Sequence, residues 1–283
     1  MTTPDTVAPI RQAVILAGGR GTRLGAMTDD TPKPLLPVAG APFLAHVIRV
    51  LWAQGIADIV LSAGYLGRQV EAFAQAMTTR DRPVRCRIEP GPLGTGGAVV
   101  FVSALLDDRF FVLNGDTFFD LPLGDLDALV RTAPAGERTA MALRHVPDVT
   151  RYGAVDLDGD TVSRFREKAS ASGDRPDDDG QDPGAHRVGE AAPSPRAGLI
   201  NAGVYAMERR VLDRLPAGPC SLERDLLPLL AQEGRLRGRA YQGYFVDIGI
   251  PADLRRAQTD LQARREGRAL PRDPAEVEGD SQP

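Results

Sequence analysis

The chain has 283 residues, 42% of them hydrophobic, a formal net charge of −4 at pH 7 and two cysteines. This allows one large α/β domain or two small ones with an ample buried core, and it argues against nucleic acid as the main partner. Cys86 and Cys220 stand too far apart in sequence to suggest a disulfide framework or a zinc knot. No apolar run approaches a membrane span, and MTTPDTVAPIRQ at the N-terminus lacks the layout of a secretory signal, so cytoplasm is expected.

Ala13 to Leu16 is a short apolar run with the composition of a buried strand. Gly18, Gly19 and Gly21 follow at once and let the backbone turn tightly with no side chain in a ligand's way. A chain leaving a strand in this manner presents consecutive N–H groups, so phosphate is the natural guest. Arg23 and Lys33 add two positive charges, and prolines at 32, 34 and 37 stiffen the segment around Lys33. Neither of the two common phosphate motifs fits. A Walker loop needs Lys-Ser or Lys-Thr after its last glycine, and the dinucleotide fingerprint needs a glycine where Leu24 stands.

Further on, Leu44, Val47, Ile48 and Leu51 recur at helical spacing, with Pro42 before them and Gly55 as a stop. Ile59 to Ala63 reads as a strand, a helix follows through Val70 and Phe73, and Val84 to Ile88 is a third strand. GPLGTGGA, from Gly91, is a second glycine-dense turn leading into a helix to about Leu106. Phe110 to Leu113 is a buried strand ending in Asn114-Gly115-Asp116. This alternation predicts an α/β fold with an open, mostly parallel sheet and helices on both faces. Its three singled-out turns, after Leu16, Ile88 and Leu113, fall at carboxyl ends of strands, where such sheets gather ligands.

Thr139 to Arg144 and Ala154 to Leu157 read as strands, with a hairpin turn at Asp158-Gly159. From Ala169 to Arg196 the composition shifts to Asp, Gly, Pro, Ser and Ala, the signature of a mobile surface insertion. Leu199 to Met207 is a strand, Ser221 caps a helix with Glu223 and Asp225 in its first turn, Tyr244 to Ile248 is the last strand, and Pro251 opens a helix to about Arg265. Asp116 at a strand end reads either as a turn former or as a carboxylate for Mg²⁺. His46, His145 and His186 have no partners at ligand spacing and are assigned no chemistry, and Trp52 is read as packing.

The glycine pair followed by Gly-Thr-Arg-Leu and then Pro-Lys-Pro-Leu resembles the opening motif of the sugar-1-phosphate nucleotidyltransferases. GPLGTGGA, LNGDTFFD, GLINAGVYAM and DIGIP extend the resemblance over roughly Arg11 to Leu261. It implies a three-layer α/β/α Rossmann-like fold of the nucleotide-diphospho-sugar transferase type, in one domain over 9–262. The nucleotide half would be 9–140 and the sugar half 141–250, with a disordered insertion at 169–196 and a polar tail at 263–283.

The resemblance also implies the chemistry. A nucleoside triphosphate would be held by Leu16, Gly18, Gly19, Gly21, Thr22, Glu89, Gly94 and Asp116, with Glu89 beside the base. Arg23 would cover the leaving pyrophosphate and Lys33 would stabilise charge at the α-phosphorus. Asp116 and Asp247 would hold Mg²⁺, and Gly153, Glu167, Lys168 and Asn201 would take the sugar 1-phosphate. Ala169 stands where the family has proline after the Glu-Lys pair, so that local backbone departs from the pattern. Within the family, the motifs look most like the branch that uses GTP and D-glycero-α-D-manno-heptose 1-phosphate. Rival readings are sister activities on mannose, glucose or N-acetylmuramate 1-phosphate with GTP, dTTP, CTP or UTP, a non-catalytic nucleotide-sugar-binding regulator, and an NAD-linked oxidoreductase disfavoured by the glycine spacing. No membrane partner is expected, and a homo-oligomer is left open.

Overall fold

A computed structural model describes residues 8–132, 138–149, 154–166 and 197–270. Gly153, Glu167, Lys168 and the expected insertion at 169–196 lie outside these residues.

Strand β1 (Gln12–Ala17) is followed by 3-10 turns at Thr22–Thr28 and Lys33–Leu35, a small hairpin of β2 (Pro37–Val38) and β3 (Ala41–Pro42), and helix α1 (Phe43–Ala53). Next come β4 (Asp58–Ala63), α2 (Gly67–Met77), β5 (Val84–Ile88), α3 (Gly94–Val102), β6 (Arg109–Asn114), β7 (Thr117–Phe119) and α4 (Leu123–Thr132). The second half holds β8 (Thr139–Val146), β9 (Ala154–Asp158), β10 (Thr161–Arg166) and β11 (Gly198–Glu208). A π-type turn (Leu222–Leu226) then runs into α5 (Leu227–Gln232), and β12 (Leu236–Ala240), β13 (Phe245–Asp247) and α6 (Pro251–Arg265) complete the order.

Nine strands form one mixed sheet in the order β5-β4-β1-β6-β11-β8-β12-β10-β9. β5, β4, β1 and β6 run parallel, because a helix carries the chain back between successive strands. Beyond β6 the expectation of a mostly parallel sheet fails. β11 is antiparallel to both β6 and β8, and β9 and β10 form an antiparallel hairpin, leaving β8 and β12 as the one parallel pair described there. β11 also pairs with β9, so the strands of this half close on themselves.

The apolar runs feed two cores, one on each face of the sheet. Ala13, Ile15 and Ala17 of β1 join Phe43, Ile48 and Leu126 on one face, and Val14 joins Val99, Met141 and Leu230 on the other. β6 divides in the same way, with Phe111 and Leu113 on one side and Phe110 and Val112 on the other. This is the period-two alternation of a strand covered on both faces. Both cysteines are free, as their spacing suggested. Among the described residues, no helix is long and apolar enough to cross a membrane.

The elements that escaped the sequence reading include the small β2–β3 hairpin, β7, α4 and β12. β7 has the largest consequence, since it pairs antiparallel with β13 outside the main sheet. The first glycine turn leads into a 3-10 turn, with Gly21 at φ +67°. α3 ends at Val102, short of Leu106, and Ser103–Leu105 finishes as a 3-10 turn.

Candidate active site

The turns after β1, β5 and β6 meet at one rim of the sheet, as the strand-helix alternation predicted. They border an open cleft whose lining includes Leu16, Gly18, Gly19, Lys33, Glu89, Gly94 and Asp116. A Cβ on Gly18 would lie 2.9 Å from Glu89 Oε1, so the first loop's backbone rests directly against that carboxylate. A Cβ on Gly19 would meet nothing within 4 Å, which leaves this stretch of backbone open to the cleft. Gly21 lies at the foot of the loop, packed on the stem of Lys33. Thr22 and Arg23 are exposed on the following 3-10 turn and are not among the residues lining the cleft.

Lys33 is only 8% exposed, so its ammonium needs anionic partners. It has two. Nζ donates to Asp116 Oδ2 and lies 3.7 Å from Asp247 Oδ1. The β7–β13 ladder brings these carboxylates together across more than a hundred residues of sequence, with Thr117 opposite Asp247 and the Ile248 N–H donating to the Asp116 carbonyl at 3.0 Å. Burial first, and the nearby Asp116 charge second, push the Asp247 carboxyl up to about 6 against the opposing pull of Lys33 and the Gly249 N–H. One lysine therefore leaves this pair short of positive charge. Among the described residues, no group of three or more His, Cys, Asp or Glu side chains converges as a metal cage. Two under-neutralised carboxylates fit Mg²⁺, which is usually gripped by one or two carboxylates plus water and phosphate oxygens.

Glu89 lines the same cleft. It accepts a hydrogen bond from Ser62 Oγ at 2.9 Å, and burial raises its carboxyl above the usual range against the pull of Ser62 and the Leu93 N–H. The glycine-dense turn beside it is held from behind. The N–H groups of Gly96 and Gly97 donate to the Cys220 carbonyl at 2.9 and 3.2 Å, and Gly94, at φ +69°, approaches that same carbonyl too closely for any side chain.

Asn201 does not line the cleft. It lies at a bulge in β11, where the register against β8 shifts between Asn201 and Tyr205. Gly203 in that bulge packs against the side chain of Asn114, which does line the cleft. The sequence reading missed Arg20, which lines the cleft and lies with its guanidinium carbon 5.1 Å from the Tyr65 ring centroid, together with Thr95 and Asn114. Thr95 and Asn114 were already inside quoted motifs, GPLGTGGA and LNGDTFFD; their short polar side chains carried no separate signal. His46 is buried on α1 with Nε2 2.8 Å from the Val38 carbonyl, a packing role consistent with assigning it no chemistry.

Comparison with known proteins identifies the family. The family described as nucleotidyl transferase matches residues 12–264. A mannose-1-phosphate guanylyltransferase from Mycobacterium tuberculosis is 34% identical over 254 residues, covering 88% of this chain and 64% of that protein. A D-glycero-α-D-manno-heptose 1-phosphate guanylyltransferase from Campylobacter jejuni is 30% identical over 243 residues, covering 86% of this chain and 96% of that protein. The crystal structure of HddC from Yersinia pseudotuberculosis complexed with GMP-PN superimposes with a TM-score of 0.71 at 29% identity, covering 89% of this chain and 100% of that one. The chain spans 62 to 64% of the length of the mannose-1-phosphate guanylyltransferases from Danio rerio and Mycobacterium tuberculosis. With the glycine loop, the lysine and both aspartates at one rim, and a match running from β1 to α6, the chain belongs to the nucleotidyl transferase family.

Proposed function

We propose that this chain transfers GMP from GTP to a sugar 1-phosphate, D-glycero-α-D-manno-heptose 1-phosphate being the first candidate, with release of pyrophosphate. The observation that carries the reading is the meeting of Lys33 with the Asp116 and Asp247 carboxylates beside a cleft that Lys33, Asp116 and Glu89 line. A sugar-phosphate oxygen forms a bond to the α-phosphorus as the bond from that phosphorus to the pyrophosphate oxygen breaks. The nucleophile is already ionised at neutral pH, so no general base is required. Both reactants are polyanions, and the protein's task is to hold them together and to stabilise charge where it grows.

In this reading the loop at Gly18, Gly19 and Gly21 offers backbone N–H groups to the triphosphate. Lys33 exchanges part of its contact with Asp116 for the α-phosphoryl oxygens. Arg23, exposed on the adjoining turn, reaches over the pyrophosphate. Glu89, an acceptor only when ionised, suits the edge of guanine, which presents N–H donors. Asp116 and Asp247 would hold Mg²⁺, which supplies charge neutralisation between the two phosphates. Glu167, Lys168 and Gly153 would take the sugar phosphate together with Asn201. A three-layer α/β/α architecture in a single domain over 9–262 belongs to the same proposal, supported by the two cores that β1 and β6 feed alternately. So does a cytoplasmic location.

The second reading is mannose 1-phosphate in place of the heptose, favoured by the 34% identity to the Mycobacterium tuberculosis enzyme. Pyrophosphate release across a panel of four nucleoside triphosphates and the heptose, mannose, glucose and N-acetylmuramate 1-phosphates separates them. The heptose with GTP should give the highest kcat/KM. A higher value with mannose 1-phosphate selects the second reading, and nucleotide binding with no pyrophosphate from any pair overturns both.

A further inference from the structure

Glu223 was expected at the start of a helix, where its charge would face the helix dipole. The structure turns it inward instead. Ser221 does cap the segment, accepting the Arg224 N–H at 3.2 Å, but the first turn is of the wide π type. In that turn the Glu223 carboxylate accepts three hydroxyl groups. Oε2 takes Thr95 at 2.5 Å and Ser221 at 2.9 Å, and Oε1 takes Tyr205 at 3.2 Å.

The sense of each of these bonds is fixed. An ionised carboxylate can only accept, so the hydroxyl protons point towards Glu223. Thr95 Oγ1 in turn accepts the Leu222 N–H at 2.9 Å. Tyr205 Oη accepts from Asn201 Nδ2 at 2.6 Å, and Asn201 Oδ1 accepts the Gly203 N–H at 3.0 Å. Tyr205 is fully buried, so this chain of bonds runs in a low-dielectric setting where an unmade bond is costly. The amide of Asn201 is thereby held one way round, nitrogen towards Tyr205 and oxygen towards Gly203. Thr95 lines the cleft itself, and Gly203 packs on Asn114, which lines it too.

We infer that Glu223 is a positioning residue for both substrates: it fixes the Thr95 hydroxyl on the nucleotide side directly, and the Asn201 amide on the sugar side through Tyr205. The inference rests on the nucleotidyltransfer reading for what those two groups face. It predicts a pattern that a merely stabilising carboxylate would not give. Glu223→Gln should raise the KM of both GTP and the sugar 1-phosphate about tenfold, the scale of one hydrogen bond to a charged group. Tyr205→Phe should raise the KM of the sugar 1-phosphate alone, and Thr95→Val that of GTP alone, with kcat moved less than either KM.

A second readout needs no turnover. The side-chain amide resonances of Asn201, followed by ¹⁵N NMR, should shift in both Tyr205→Phe and Glu223→Gln. Folded Glu223→Gln enzyme with both KM values within twofold of wild type overturns the inference, as does an Asn201 amide unmoved in Tyr205→Phe. If Glu223→Gln does not fold, Tyr205→Phe and Thr95→Val carry the two arms separately, and a loss confined to thermal stability in both counts against it. A wild-type enzyme that releases no pyrophosphate from any pair counts against nucleotidyltransfer, while the amide shift still decides whether Glu223 orients Asn201.

Discussion

The two halves of the sheet are built by different rules. In the first half β1, β4 and β5 are each linked to the next strand of the main sheet through a turn and a helix, and all run parallel to their neighbours. From β8 onward a single long strand, β11, pairs with β6, β8 and β9. The first half makes a rim from local turns, and its groups lie wherever a strand ends. The second half reaches that rim through long-range contacts: β13 on β7, the bulge of β11, and the Cys220 to Glu223 segment on the second glycine turn. A phosphate cradle can thus be written in one short stretch, whereas closing the site over it requires chain from far away.

Substitutions at the seam between the halves should have the largest effects. Asp116→Asn takes one carboxylate from the pair that the β7–β13 ladder assembles, and is expected to abolish turnover or to weaken its dependence on added Mg²⁺. A metal titration of pyrophosphate release checks this, and an unchanged titration would separate Asp116 from the ion. Lys33→Met should cost about 10²–10³ in turnover, the range for losing one preorganised charge-stabilising donor. Rates near wild type would remove Lys33 from the chemistry.

Within the first half, Glu89→Gln should raise the KM for GTP about 10- to 100-fold, as for a lost hydrogen bond to a charged group. The pH dependence sharpens this. Burial holds the Glu89 carboxyl above its usual range, so its stabilising contribution is present at low pH and is lost as pH rises through that raised value. Its use as an acceptor runs the other way. GTP affinity should fall on acidification towards the raised value, and Glu89→Gln should flatten that dependence. The smallest effect belongs to the second half: Gly159→Ala, in the β9–β10 turn at φ +56° with open space around it, should cost about 1 kcal/mol in unfolding experiments and leave kcat unchanged.

The same contrast explains what could be read from the sequence. β1, β4 and β6 are apolar runs closed by glycine or asparagine, β5 alternates apolar residues with arginine, and the extents of β5 and α6 agree with their patterns to the residue. Gly18 and Gly19 of the glycine loop, Lys33, Glu89, Gly94 and Asp116 follow from those same stretches and do line one cleft. Three-residue β7 is too short to show a period, and β12, LRGRA, alternates with only one large apolar residue, so both take their strand conformation from the partners they pair with. The antiparallel turn of the sheet at β11 was illegible for the same reason. Arg23 and Asn201 were named from motif resemblance, and both lie off the cleft lining. The inward turn of Glu223 had no sequence signal, since a glutamate after a serine cap reads as a helix start.

The central claim is that Asp116 and Asp247 share one divalent cation beside Lys33, against a triphosphate lying on the glycine loop. A crystal structure with GTP and Mg²⁺ tests it directly. The account predicts one ion about 2.0–2.1 Å from an oxygen of each aspartate, with the phosphates against Gly18 and Gly19 and the base at Glu89. An ion held by only one of the two aspartates, or a nucleotide seated away from the first loop, would contradict it.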